Sequence, residues 1–251
     1  VVRTPLVDGA FAHERRSPPP DLAGFLEHFW MVAWDVPAPV TREVLSHPSV
    51  HVTLSRAGSA VTGVPRGRYV TRLEGTGRVF GIKFRPGGFR PLVGFPIARL
   101  TDREVPLADV FGDRAAALET AVLAPAGFAG QISAATAHLR ELLPERDATV
   151  DEVAALVRRI LDDRAIRRVE DLAAATARSV RALQRLFSEY VGVSPKWVIR
   201  RYRLHEAMAQ LDAGAPLDWA ALALELGYFD QAHFIRDFKA LVGRTPGAYG
   251  R

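Results

Sequence analysis

Leu222-Ala223-Leu224-Glu225-Leu226-Gly227-Tyr228-Phe229-Asp230-Gln231-Ala232-His233-Phe234-Ile235-Arg236-Asp237-Phe238-Lys239 reads as a short helix, a tight turn and a second helix. The first helix begins near Asp218-Trp219, is rich in Ala and Leu, and stops at Gly227. A turn this tight between helices needs left-handed backbone, which glycine adopts without a Cβ clash. Asp230 supplies an N-cap oxygen for the second helix. On a 100° wheel, Phe234, Ile235, Phe238, Leu241 and Val242 share one face. Ala232, His233 and Arg236 lie opposite, with Gln231 exposed in the first turn.

The same plan occurs earlier in the chain. Residues 150–162 carry an apolar stripe of Val153, Leu156, Val157, Ile160 and Leu161, and Val169 to Thr176 makes a short helix. Ala177-Arg178 is the turn, and Ser179 caps a helix from Val180 to Val191. Val180, Leu183, Leu186, Phe187, Tyr190 and Val191 form its back; Arg181, Arg185 and Ser188 face the other way, flanked by Ala182. Each unit is thus a supported helix with an apolar back and a polar, small-residue front.

That front suits a DNA major groove. Arg donates two hydrogen bonds to guanine O6 and N7, Gln pairs similarly with adenine, and small residues allow close approach. Each good bidentate contact contributes about 1 to 3 kcal/mol of base discrimination. The candidate reading positions are Ser179, Arg181, Ala182, Gln184, Arg185 and Ser188 in one unit, and Gln231, Ala232, His233 and Arg236 in the other. Between the units, Ser194-Pro195 starts a helix reaching about Leu211. Its roughly 17 residues would span about 25 Å, enough to hold two reading helices near one DNA turn, about 34 Å, apart. Arg200 and Arg201 on this connector, Arg203 beside them and Lys239 on the last helix are candidate phosphate contacts.

The first half is mixed. Phe29 to Trp34, Val50 to Leu54 and Val79 to Phe84 are short β-prone runs bounded by Pro, Gly and Ser, and Arg85-Pro86-Gly87-Gly88 turns the chain after the last. From Asp113 the period is helical, with candidates at Ala115 to Val122 and Ile132 to Leu143. The fold expected is α+β, with a small sheet or barrel-like domain plus helices ahead of an all-α tandem helix-turn-helix domain. The boundary falls in Pro144 to Ala148, giving a sensor or dimerisation domain over 1–147 and a DNA-binding domain over 148–251. The rings of Trp30, Trp34, Phe80 and Phe84 are candidates for an apolar effector pocket, against plain core packing as the alternative.

Composition narrows the classes. The 251 residues include no Cys, which removes disulfides, thiolate metal sites and cysteine nucleophiles. A net charge of +5 is compatible with nucleic acid, but the excess is small and divided almost evenly between the halves. No signal-peptide core and no membrane-length apolar run occurs, so a cytoplasmic protein is expected. His47 and His51 would pair on a metal only in a helix, which Pro48 and the β-prone residues after it oppose. Gly87-Gly88 lacks any surrounding phosphate-binding fingerprint, and no nucleophile elbow or metalloprotease motif stands out. Neither a metal nor a cofactor is expected, and catalysis has no support.

The segment 222–239, followed by Gly243-Arg244-Thr245-Pro246, closely resembles the second helix-turn-helix signature of AraC/XylS-type regulators. The first unit is similar through Leu172-Ala173, Ser179, Leu183-Gln184-Arg185-Leu186-Phe187 and Gly192-Val193-Ser194-Pro195. It departs in the turn, where Thr176 and Ala177 stand in place of the family's usual large aliphatic and Gly. Gly81 to Gly94 looks like the sensor-like domain found ahead of this module in many actinobacterial members. The resemblance implies a sequence-specific transcription regulator, monomeric or homodimeric, on double-stranded DNA. RNA polymerase and a small-molecule effector are its candidate partners. An enzyme using the module for targeting, as in DNA alkylation-repair regulators resembling this family, is the competing class. Zero cysteines remove the alkyl-accepting chemistry that such proteins need.

Overall fold

A computed structural model describes residues 11–212, 219–228 and 230–249, without the side chains at 211, 212 and 225. Asp218 and Phe229 of the opening motif, and the side chain of Leu211, lie outside it. Six strands among the described residues, β1 (Phe11–Arg16), β2 (Leu26–Val44), β3 (His51–Leu54), β4 (Ala60–Thr62), β5 (Tyr69–Phe84) and β6 (Glu104–Pro106), form one antiparallel sheet. Its order is β1-β2-β5-β3-β4-β6.

The expected β-prone runs lie inside β2, β3 and β5, but β2 and β5 are much longer than the hydrophobic stretches that announced them. Their register breaks between Val36 and Val40, where Pro37 and Pro39 cannot donate to a ladder, and resumes as a ribbon from Val40↔Leu73 to Val44↔Tyr69. The short strands β1, β4 and β6 carry too few apolar residues to be read from alternation alone.

Strand geometry sends successive side chains to opposite faces. Phe29, Met31, Val52, Leu54, Phe80, Ile82 and Phe84 form the inner face. They share a core with Leu107 of α1 (Leu107–Phe111), Leu118 and Val122 of α2 (Arg114–Leu123), and Phe128, Ala135 and Leu139 of α3 (Phe128–Leu142). Phe80 stacks on Phe29 at 5.9 Å between centroids and takes the edge of Phe128 at the same distance. The opposite face carries Trp30 and Trp34, whose indoles lie over Gly81 and Gly77 so closely that a β-carbon at either glycine would collide with them.

The C-terminal half is helical: α4 (Ala148–Asp162), α5 (Val169–Thr176), α6 (Val180–Tyr190), α7 (Pro195–Asp212), α8 (Trp219–Glu225), α9 (Gln231–Val242) and α10 (Pro246–Tyr249). Asp147 caps α4 by accepting from the amides of Thr149 and Val150. One core joins α4, α5, α6 and the start of α7 through Val153, Ile160, Leu172, Leu183, Phe187 and Val198. Another joins the rest of α7 to α8 and α9 through Leu204, Met208, Leu222, Phe234 and Phe238.

These cores are not isolated from the sheet. Val150 of α4 belongs to the sheet's core while Val153, one turn on, belongs to that of the first helical unit. Val64 of the β4–β5 loop is buried in the latter, and Leu45 packs against the second unit. Arg90 pairs with Glu189 at 2.6 Å, and the Thr101 hydroxyl donates to the Gly192 carbonyl at 2.5 Å. Among the described residues no helix is long and apolar enough to cross a membrane.

Candidate nucleic-acid interface

The first unit turns at Ala177, which adopts left-handed backbone at φ 52°. The second turns at Gly227, φ 77°, where a side chain would press on Arg167. An L-residue in that conformation carries a steric cost of about 1 to 2 kcal/mol that glycine escapes. Arg178, next to Ala177, is held by Glu152 of α4 at 2.7 Å, which helps fix a turn that lacks glycine.

Both α6 and α9 are capped as their sequences require. The Ser179 hydroxyl accepts from the Ala182 amide at 3.1 Å, and an Asp230 carboxylate oxygen accepts from the His233 amide at 2.7 Å. The backs of the helices are the buried residues Leu183 and Phe187 on α6, and Phe234, Phe238, Leu241 and Val242 on α9. On the fronts, Ser179, Arg181, Gln184, Arg185 and Ser188 are exposed and Ala182 is half-buried; Gln231, Ala232 and Arg236 are exposed as well.

Charge satisfaction divides the cations into two groups. The side chains of Arg181, Arg185, Arg236 and Lys239 are exposed and make no ion pair or hydrogen bond among the described residues. The connector arginines behave differently. Arg201 is only 4% exposed, and its Nε donates to the Ser46 carbonyl at 2.7 Å while Nη2 reaches the Ser46 hydroxyl. Burial lowers its pKa to about 10, and its guanidinium lies over the Trp197 ring. Arg203, 1% exposed, donates to the carbonyls of Ile160 and Asp163 at 2.7 and 2.8 Å and to Glu206 at 2.5 Å. A cation at the carbonyl end of α4 is favoured by the helix dipole.

The expectation of phosphate contacts along the connector is therefore corrected for Arg201 and Arg203, which are turned inward in this fold. Arg200 is partly exposed but engaged, its Nη1 3.2 Å from Asp237 and its Nη2 3.1 Å from His233 Nε2. Position on or near the connector was the only ground in the sequence for that expectation, and it is blind to neighbouring elements. The inward contacts of the three arginines come from the β2–β3 loop, from α4 and from α9.

His233 also departs from expectation. A guanidinium has donors only, so in the 3.1 Å contact with Arg200 it is His233 Nε2 that accepts. The ring is drawn toward α7 and its Nε2 is not free for a base edge.

The expected aromatic pocket is overturned as well. Phe80 and Phe84 are interlocked in the inner core, whereas Trp30 and Trp34 cover the opposite face, so the four rings cannot line one cavity. Open space occurs instead beside Trp197. A cleft of about 840 Å³ is lined by Thr62, Arg66, Arg68, Tyr69, Arg103 and Glu104 together with Trp197. The β4–β5 loop that forms much of it had no periodic signal in the sequence. The paired histidines separate too: His51 lies in β3, and His47 precedes it in a loop with its ring against His205 of α7.

Residues 172–251 match a family described as a helix-turn-helix domain, and residues 14–106 match a domain of unknown function, DUF6597. A solved structure of a probable AraC family transcriptional regulator from Rhodopseudomonas palustris CGA009 is 31% identical, covering 38% of this chain and 94% of its own, with a TM-score of 0.32. ToxT from Vibrio cholerae O395 is 12% identical over 96% of this chain and 97% of its own, with a TM-score of 0.39. Unsaturated fatty acid bound ToxT from Vibrio cholerae strain SCE256 is 10% identical over 97% and 95%, with a TM-score of 0.35. No curated protein matches the chain.

Proposed function

The chain belongs to the AraC family of DNA-binding transcription regulators, and from that premise we propose that its two helix-turn-helix units read adjacent major-groove segments of one duplex. In this reading α6 contributes Arg181, Gln184, Arg185 and Ser188, with Ala182 allowing close approach, and α9 contributes Gln231, Ala232 and Arg236. Ser179 acts as the cap of α6 and has its hydroxyl proton left to donate to a phosphate. Lys239 contacts backbone phosphate. The observation that carries the proposal is the contrast in charge satisfaction: the exposed arginines on these two fronts have no protein partner among the described residues, while those on the connector are paired or buried. A polyanion is the partner that complements such a surface.

The proposal extends to organisation and control. Residues 1–147 form the regulatory part and 148–251 the DNA-binding part, coupled through Arg201, Trp197 and α4. An effector would lodge in the cleft beside Trp197, whose indole donates to the Arg66 carbonyl at 3.3 Å and so joins the β4–β5 loop to α7. Selection of binding sites from random duplexes by the purified full chain tests the reading. An asymmetric site with two unlike halves about one helical turn apart is expected, because α6 and α9 differ in sequence. Recovery of two identical half-sites, or no enrichment at all, would refute it.

A further inference from the structure

Arg200 occupies a junction of three elements. It projects from α7; one branch of its guanidinium meets Asp237 Oδ2 on α9 at 3.2 Å, and the other meets His233 Nε2 on α9 at 3.1 Å. Its carbon centre lies 5.2 Å over the ring of Tyr228, in the turn between α8 and α9. The Tyr228 ring in turn meets His233 edge-on at 5.2 Å between centroids. His233 and Asp237 are four residues apart on α9 and so share one side of that helix. One planar, permanently charged fork thus grips two successive turns of α9 and the turn that precedes it.

We infer that Arg200 is a positioning residue, which sets the angle at which α9 presents Gln231, Ala232 and Arg236 and thereby fixes base preference in the second half of the binding site. The inference rests on the reading of α9 as a recognition helix. Leu204 and Met208 of α7 and Phe234, Phe238 and Leu241 of α9 give the apolar adhesion between the helices, but adhesion of that kind is not directional. Helix pairs packed by apolar ridges scatter by about 15 to 20° in crossing angle. A helix of the length of α9 is about 18 Å long, so a tilt of about 10° moves its far end by about 3 Å. A bidentate contact to a base does not survive such a displacement, since its hydrogen bonds require separations near 3 Å and good alignment. Two donors of fixed geometry on one rigid fork, meeting two acceptors on one helix, remove that freedom. Arg200 and Asp237 are about one-third exposed, at 29% and 32% of their side chains, so the pair adds little to folding stability. Its effect falls on geometry.

The test uses the full chain and a duplex selected from random sequence by the unsubstituted protein. Arg200→Ala is expected to weaken binding to that duplex by at least about tenfold, the equivalent of one good base contact. Base preference should flatten in the half read by α9 and stay intact in the half read by α6. Affinity for random duplex and the slope of log K against log salt should stay unchanged. Asp237→Asn should produce the same flattening, because it loosens the grip from the α9 side without removing a cation. Arg200→Lys, with a single-point donor, should restore it only in part. Equal losses on selected and random duplex with a salt slope reduced by about 1 would make Arg200 a phosphate contact and overturn the inference. Unaltered preference in both Arg200→Ala and Asp237→Asn would overturn it too. Arg236→Ala serves as the reference: if it also leaves base preference unaltered, the reading of α9 itself fails, whereas loss of preference there with none in the Arg200 and Asp237 variants sinks only the positioning role.

Discussion

Arg201 donates its Nε hydrogen to the carbonyl of Ser46 at 2.7 Å, joining α7 to the β2–β3 loop across most of the chain's length. No carboxylate accompanies this buried cation among the described residues; carbonyls and a hydroxyl satisfy it. Arg201→Ala is expected to leave these oxygens without a donor and to cost about 2 kcal/mol of stability. Urea denaturation of the full chain reads the cost. The salt dependence of binding to random DNA should not change, because the removed group cannot reach a phosphate. A reduced slope with unaltered stability would return Arg201 to the surface.

Arg181, Arg185 and Arg236 stand outside any such network. Each, replaced singly by Ala, should weaken binding to a selected duplex by about 1 to 3 kcal/mol and binding to random duplex far less. Fluorescence anisotropy on both duplexes separates the two effects. An equal loss on each would demote the residue to a backbone contact.

The two turns should respond unequally. Gly227→Ala places a β-carbon in left-handed backbone and 3.0 Å from that of Arg167, so a loss of about 1 to 2 kcal/mol is expected. Ala177→Gly removes the same strain but frees the unfolded chain, and the two terms largely offset, leaving a change within about 0.5 kcal/mol of zero or slightly stabilising. Thermal denaturation of both variants checks the asymmetry, and equal destabilisation would contradict it.

Acid should weaken the fold where α7 meets the loop before β3. There the rings of His47 and His205 lie 4.7 Å apart. Burial holds the pKa of His205 down to about 4, with Arg201 adding to the effect, and that of His47 down to about 2, with Lys83 and His205 adding. Both histidines titrate near 6.5 when unfolded, so below that pH the unfolded chain binds more protons than the folded one. The stability they contribute is complete above pH 6.5 and declines through the window down to about 4, by up to about 1.4 kcal/mol per pH unit for each. Urea midpoints between about pH 7.5 and about pH 4.5 measure the slope. His205→Gln should make it shallower; an identical slope in that variant would exclude His205 as a source.

Legibility in the sequence followed the range of the forces involved. Ser179, Gly227 and Asp230 act on backbone within a few residues of themselves, and the starts of α6 and α9 and the end of α8 were readable from them. The fronts of α6 and α9 follow from a single helix's periodicity and were readable for the same reason. Arg201 and Arg203 were misassigned because the contacts that bury them lie on other elements. Phe29 and Trp30 show an avoidable error: adjacent strand residues must face opposite ways, so Trp30 could not join Phe80 in one pocket once β2 was paired with β5. Strands β4 and β6 are three residues each, below the length at which alternation carries information.

Val150 and Val153 sit a single turn apart on α4 yet are buried in different cores. Neither half of the molecule owns that helix, so neither can melt without stripping cover from the other. Calorimetry on the intact chain should accordingly register one endotherm, with calorimetric and van't Hoff enthalpies in agreement. A rotation of α4 forced from the sheet side would be transmitted to the helix-turn-helix side as rigidly as through a shared axle.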